Sequence, residues 1–309
     1  MLEIFLKTLP FFALIGVGYF AGRTKFFSPE ATAYLTKFVF YFALSAMLFR
    51  FSANLSLGDI FDWDFVLAYL AGTAVIYVLA TVIAMVRKLS VAEAAVEAQC
   101  AVIGNVGFLG IPMLVLLLGE NAIGPVMMVL AVDLIVFGGL IVILITGSRD
   151  GRMGFGVLKT VGLGLLKNPM FVSICLGLLV SGLALPIPGP ANEFLTLLGG
   201  AATPCALFAI GASLATKSAE RISVAGWLTF CKLALHPAAV SVFALMVFDI
   251  DPYAAGVMIS AAALPVAGNV YILAQHYGVA PARVSATILI STAISVLTLS
   301  SVIAWVTTL

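Results

Sequence analysis

Two stretches of the chain combine residue types that can hold a small anion inside an apolar protein. One reads Ile103-Gly-Asn-Val-Gly-Phe-Leu-Gly-Ile-Pro112 and the other Leu264-Pro-Val-Ala-Gly-Asn-Val-Tyr271. Proline removes a backbone donor and clashes with the preceding helical turn, and glycine adds backbone freedom. A helix entering either stretch is expected to break, and the half-helices resuming near 112–118 and 270–277 to aim their N-terminal amides at a shared cavity. Such an end favours an anion by up to ~2 kcal/mol. Asn105 and Asn269 add side-chain donors and acceptors at the two breaks. Gly104, Asn105, Gly107, Pro112, Pro265, Gly268 and Asn269 are therefore the candidate substrate-binding residues.

Four ionisable residues lie within apolar runs, where each costs roughly 2.5–3.5 kcal/mol on insertion scales. Asp133 either titrates or binds a cation, or is a structural carboxylate that is capped or paired. Lys232 either neutralises a bound carboxylate or locks to an acidic partner. His236 lies one turn from Lys232 on the same helix face; it either shares that role or satisfies a carbonyl freed by Pro237. Glu97, a turn from Glu93, is near enough to a helix end to snorkel, as is Lys37. Asp133, Lys232, His236 and Glu97 are the candidates for ion coupling or charge relay, with a proton or a sodium ion as the coupled species. Cys100, Cys175, Cys205 and Cys231 have no metal-ligand spacing and read as small buried hydrophobes. With no Walker loop, no His-Glu-x-x-His and no nucleophile–base pair, neither an enzyme nor a bound metal or cofactor is expected.

The elements positioning these residues follow from composition. Of the 309 residues, 63% are hydrophobic and 9% charged, with a mean hydropathy of +1.20. Average soluble proteins are about 45–50% apolar. A soluble enzyme is excluded, and a net charge of +1 gives no field for nucleic acid. The chain is an integral membrane protein whose surroundings are the lipid bilayer. A membrane helix needs about 20 apolar residues, and ten such spans are expected near 4–22, 33–51, 63–86, 93–118, 122–146, 168–186, 192–215, 224–248, 253–277 and 284–307. The first lacks a basic leader and is expected to be retained as a span. Gly18-x-x-x-Gly22 within it forms a small-residue packing face. Residues 147–167 form a linker between halves 1–146 and 168–309, and 154–167 is either an interfacial amphipathic helix or a glycine-rich connection.

Alternate loops divide the charges unequally. One side receives Arg23, Lys25, Arg87, Lys88, Arg149, Arg152, Lys159, Lys167, Lys217, Arg221 and Arg283. The other receives Arg50 with Asp59, Asp62, Asp64, Glu120, Glu193, Asp249 and Asp251. Basic loops stay in the cytoplasm, so both termini are expected outside and the linker inside. Five spans per half is an odd number, so duplicated halves would sit inverted, with breaks in spans four and nine.

These stretches resemble the auxin efflux carrier family, in its prokaryotic branch with malonate-transporter-like members. The resemblance rests on Asn105–Pro112, Ala202-Thr-Pro-Cys-Ala-Leu-Phe-Ala-Ile-Gly211, Lys232-Leu-Ala-Leu-His-Pro237 and Leu264–Gly278, in that order. It covers essentially the whole chain. Departures are Gly104-Asn105-Val106, where plant carriers have Pro-Asn-Thr, Ser45 in place of a common proline, and no long cytoplasmic loop. The resemblance implies an all-α fold of two inverted five-helix repeats with crossing helices four and nine, and a homodimer. It further implies an elevator motion of spans 3–5 and 8–10 against a scaffold of spans 1, 2, 6 and 7. The function it implies is secondary transport of a small organic anion, most simply a carboxylate. A sodium-coupled symporter like the bile-acid carriers and a non-transporting receptor are the alternatives.

Overall fold

A computed structural model of the chain describes residues 2–54, 62–150, 163, 166–215 and 222–309. Among the described residues, regular structure is helical apart from one isolated backbone bridge. In chain order the helices are α1 (Leu2–Arg23), α2 (Pro29–Ala53), α3 (Trp63–Val86), α4 (Val91–Val102), α5 (Val106–Leu118) and α6 (Glu120–Ser148). The second half contributes α7 (Pro169–Gly182), α8 (Gly189–Leu214), α9 (Ile222–Val247), α10 (Pro252–Ala262), α11 (Gly268–Tyr277) and α12 (Pro281–Val306). The six helices α2, α3, α6, α8, α9 and α12 are long and apolar enough to cross a membrane. Apolar segments Leu9–Arg23, α5, α7 and α10 are shorter. Large apolar side chains such as Phe20, Leu197 and Met246 stay exposed on the outer faces. That exterior would be untenable in water and suits hydrocarbon, so the chain is a polytopic membrane protein.

Polar residues between the apolar runs set where helices begin. Ser28, Asp62, Asn168 and Asp251 each accept a backbone N–H of the first turn, and Ser90 with Glu93 forms a reciprocal capping box. Pro29, Pro169, Pro252 and Pro281 occupy first helical positions, where the missing N–H is harmless. Most of the 154–167 segment lies outside the described residues, as do the loop charges Asp59, Arg152, Lys159, Lys217 and Arg221.

The helices pack in two groups. α1 lies along the second half of α8, and α7 and the first half of α8 lie against α2. In the other group α3 packs on α4 and α9, α6 on α4, and α10 and α11 on α12. The α1–α8 contact depends on glycine. A Cβ at Gly18 would lie 2.1 Å from the Phe208 carbonyl oxygen, and one at Gly211 only 1.9 Å from that of Ile15. The Gly18-x-x-x-Gly22 face is thus a backbone-to-backbone seam. Gly211→Ala is expected to destabilise the protein by at least the about 1–3 kcal/mol of ordinary overpacking. Gly16→Ala, which meets nothing within 4 Å, is the control, with thermal unfolding in detergent as the measurement.

The polar stretches interrupt helices in two different ways. Between α4 and α5, residues 103–105 leave helical geometry, and between α10 and α11 the chain is non-helical over 263–267. Elsewhere the helix only widens, by single π-turns at Val39–Ala43, Asp133–Phe137, Cys231–Leu235 and Phe243–Val247. Asp133 opens one of these turns and Lys232 lies in another. Such turns often occur at functional sites.

Candidate functional site

The two non-helical segments meet. Gly104 and Val266 form an antiparallel bridge, with Asn105 N–H donating to the Pro265 carbonyl at 2.8 Å and Ala267 N–H to the Ile103 carbonyl at 3.1 Å. Val266 N–H is taken by Ser291 Oγ of α12 at 3.2 Å. Two of the freed N–H groups are thus paired between the segments and a third is paired with α12, as an apolar interior demands. Helix resumes at Val106 rather than near Pro112, six residues earlier than the proline suggested. A π-turn over Val106–Gly110 carries the chain past Pro112, which then sits harmlessly in the first turn of Ile111–Leu118.

One cavity of about 740 Å³ borders the crossing. Asn105, Gly268 and Asn269 line it, joined by Gln99 of α4, Asp133 of α6 and Thr292 of α12. Gly268 and Asn269 form the first turn of α11, which has no side-chain cap, and both are exposed to the cavity. Its walls continue to Lys37, Asn168, Leu214 and His276. The larger pocket, about 890 Å³, is lined by Arg50, Asp62, Glu120, Asn192 and Tyr253 at the opposite helix ends, and holds none of the candidate residues.

Four of the expected substrate contacts are not on the cavity wall. Gly104 lies against Lys232 Nζ and the Ala261 carbonyl, where a Cβ would be 3.3 and 3.2 Å away. Gly107 packs against Met170 of α7, Pro265 belongs to the bridge, and Pro112 lies beyond it. These residues shape the crossing, and the wall belongs to Asn105, Gly268 and Asn269.

Behind the crossing runs a buried polar chain. Lys232, fully buried, donates to the Ala262 carbonyl at the C-terminal end of α10 and lies 3.1 Å from His236 Nδ1. The other ring nitrogen, His236 Nε2, lies 3.0 Å from Thr73 Oγ1, so the imidazole links Lys232 to α3. Tyr69, one turn before Thr73 on α3, packs its ring against His236 and donates its hydroxyl to Asp133 Oδ1 at 2.9 Å. Among the described residues Lys232 thus has no carboxylate partner within salt-bridge reach; a helix C-terminus, where carbonyl dipoles favour a cation, takes that place. His236 bonds two side chains rather than the carbonyl freed by Pro237.

Glu97 does not snorkel. It is 1% exposed, and its oxygens pair with Arg87 and, at 2.6 Å, with Arg283 of α12. Arg283 also reaches Glu93 at 3.4 Å and is itself buried, so this basic residue is an internal clamp rather than a free loop charge. None of these four residues lines the cavity. Sequence reasoning missed Gln99, Thr292, Tyr69 and Thr73. The i, i+4 spacing of Tyr69 and Thr73 was the available signal; Gln99 had only its polarity within an apolar run.

A family model described as "Membrane transport protein" matches residues 3–303. The chain is 31% identical over 309 residues to the "Putative malonate transporter" of Rhizobium meliloti (strain 1021), covering 98% of this chain and 96% of that protein. It is 26% identical over 296 residues to the "Uncharacterized transporter YfdV" of Escherichia coli (strain K12), covering 90% of each. These matches name transporters and no enzyme. With the fold and the motifs at its crossing, they make this chain a member of the membrane transport protein family, the auxin efflux carriers.

Proposed function

We propose that the chain is a secondary active transporter of a small organic anion, a carboxylate, which binds where the two interruptions cross. The observation carrying this reading is that Asn105, Gly268 and Asn269 line one cavity. The uncapped N-terminus of α11 offers amides to an anion, and the two Asn side chains supply directional hydrogen bonds. The name of the Rhizobium meliloti relative supports a dicarboxylate.

In this reading α4–α5 and α10–α11 are interrupted fourth and ninth spans, giving ten spans in two inverted halves. α1 against α8 and α7 against α2 are then equivalent contacts, since span one corresponds to six and span two to seven. The group built on α1, α2, α7 and α8 is the scaffold, and the rest carries substrate in an elevator motion, in a homodimer. Both termini face outward and the linker faces the cytoplasm. The cavity walls reach Lys37 and Asn168, beside the basic loops, which fits an inward-open state. A coupling cation, proton or sodium, acts at Asp133.

The test is uptake of labelled mono- and dicarboxylates into proteoliposomes, with and without sodium and pH gradients. A dicarboxylate is expected to accumulate, and Asn269→Ala to weaken its apparent affinity roughly tenfold to a hundredfold, the worth of one or two hydrogen bonds to a charged group. Binding without accumulation or counterflow would make the chain a receptor.

A further inference from the structure

Two residues of the cavity wall each carry a buried side-chain oxygen with no hydrogen-bond partner among the described residues. Asp133 is 5% exposed; its Oδ1 accepts from Tyr69, but its buried Oδ2 has no hydrogen-bond partner. Gln99, 2% exposed, has its buried Oε1 in the same condition. Both residues line the cavity that holds Asn105, Gly268 and Asn269. A buried acceptor without a donor is costly, and two on one ligand-sized cavity mark a place where a ligand brings the donor. The cavity therefore carries two unlike features: a helix N-terminus seeking an anion, and acceptor oxygens, one of them a carboxylate, seeking a hydrogen. A dicarboxylate dianion satisfies the first and is repelled by the second.

We propose that the substrate is taken up as the singly protonated dicarboxylate. Its carboxylate sits at the N-terminus of α11, and its acid O–H donates to Asp133 Oδ2, with Gln99 as the neighbouring acceptor. No bond is made or broken; the coupled proton crosses on the substrate itself. This rests on the transport reading above and specifies the cation met by Asp133. The titratable groups around the subsite are Tyr69 from α3, Lys232 and His236 from α9, and Lys37, Tyr41, Tyr271, His276 and Tyr277 on the cavity walls.

Two half-derivatives of malonic acid test this in the full-length protein in proteoliposomes. The methyl half-ester and the N-methyl half-amide have the same number of heavy atoms and one negative charge at any neutral pH, but only the amide keeps a hydrogen to donate. The half-amide is expected to compete with labelled malonate roughly tenfold or more better than the half-ester, the effect of orphaning a buried acceptor. In Asp133→Asn, which can turn a donor toward the ligand while Oδ1 still accepts from Tyr69, that preference should fall to parity or reverse. General damage would weaken both competitors alike and leave their ratio unchanged. Equal competition in the unaltered protein, or an unchanged preference in Asp133→Asn, overturns the proposal. So does competition by neither compound where malonate binds, which would mean a bound dianion. Equal competition together with sodium-dependent malonate binding would assign Asp133 to sodium instead. If no organic anion binds at all, the transport reading itself fails.

Discussion

Glu97→Ala is expected to lower the stability of the protein by about 3–5 kcal/mol, the usual consequence of stranding a buried charge. The carboxylate holds Arg87 with one oxygen and Arg283 with the other, at 1% exposure. Once it is removed, Arg283 retains among the described residues only Glu93 at 3.4 Å as an acidic partner, and its Nε has no partner among them. The partners differ in a way that can be measured. Arg87 is one-third exposed, so water screens it, and Arg87→Ala should lose about 1 kcal/mol or less. Arg283→Ala should fall between Arg87→Ala and Glu97→Ala. Denaturant unfolding in mixed micelles gives the three values; similar small losses would contradict the buried clamp. Glu97→Ala should also leave the donor preference at the cavity unaltered, because none of the cluster's residues lines it.

The second large effect is expected at Lys232. Lys232→Ala removes the donor to the Ala262 carbonyl and opens space beneath Gly104. Large-to-small core changes cost about 2–5 kcal/mol, and an orphaned carbonyl adds to that, so a loss on the order of 4 kcal/mol is expected. Lys232→Met restores most of the volume but neither the charge nor the donor. It should recover much of the stability and still transport poorly, since the crossing loses the cation that ties α9 to α10. Unfolding and uptake measured on the same preparations separate the two contributions. A Lys232→Met protein with full uptake would reduce Lys232 to a space-filler.

What was legible in the sequence follows from range. The interruptions were visible because Gly, Asn and Pro act on their own backbone, so 103–112 and 264–269 announced themselves. Their exact place was not: Pro112 looked like the breaker, but a π-turn absorbs it and the helix parts at 103–105. The same locality explains why the Lys232–His236 pairing could be read from its spacing, whereas the Ala262 carbonyl could not. Glu97 meets Arg283 across 186 positions, and no local pattern encodes that. Of the seven expected substrate contacts, Asn105, Gly268 and Asn269 line the cavity. The remaining glycines and prolines were chosen for backbone reasons, and they serve the backbone.

The bridge between Gly104 and Val266 bears on how such a carrier can change its cargo. The bridge and Ser291 meet main-chain demands of the interrupted segments, so the crossing asks little of the side chains that face the cavity. Asn105, Asn269, Gln99 and Asp133 can then be exchanged without redesigning the helices that present them. The frame of the crossing then stays fixed when a single wall side chain is replaced.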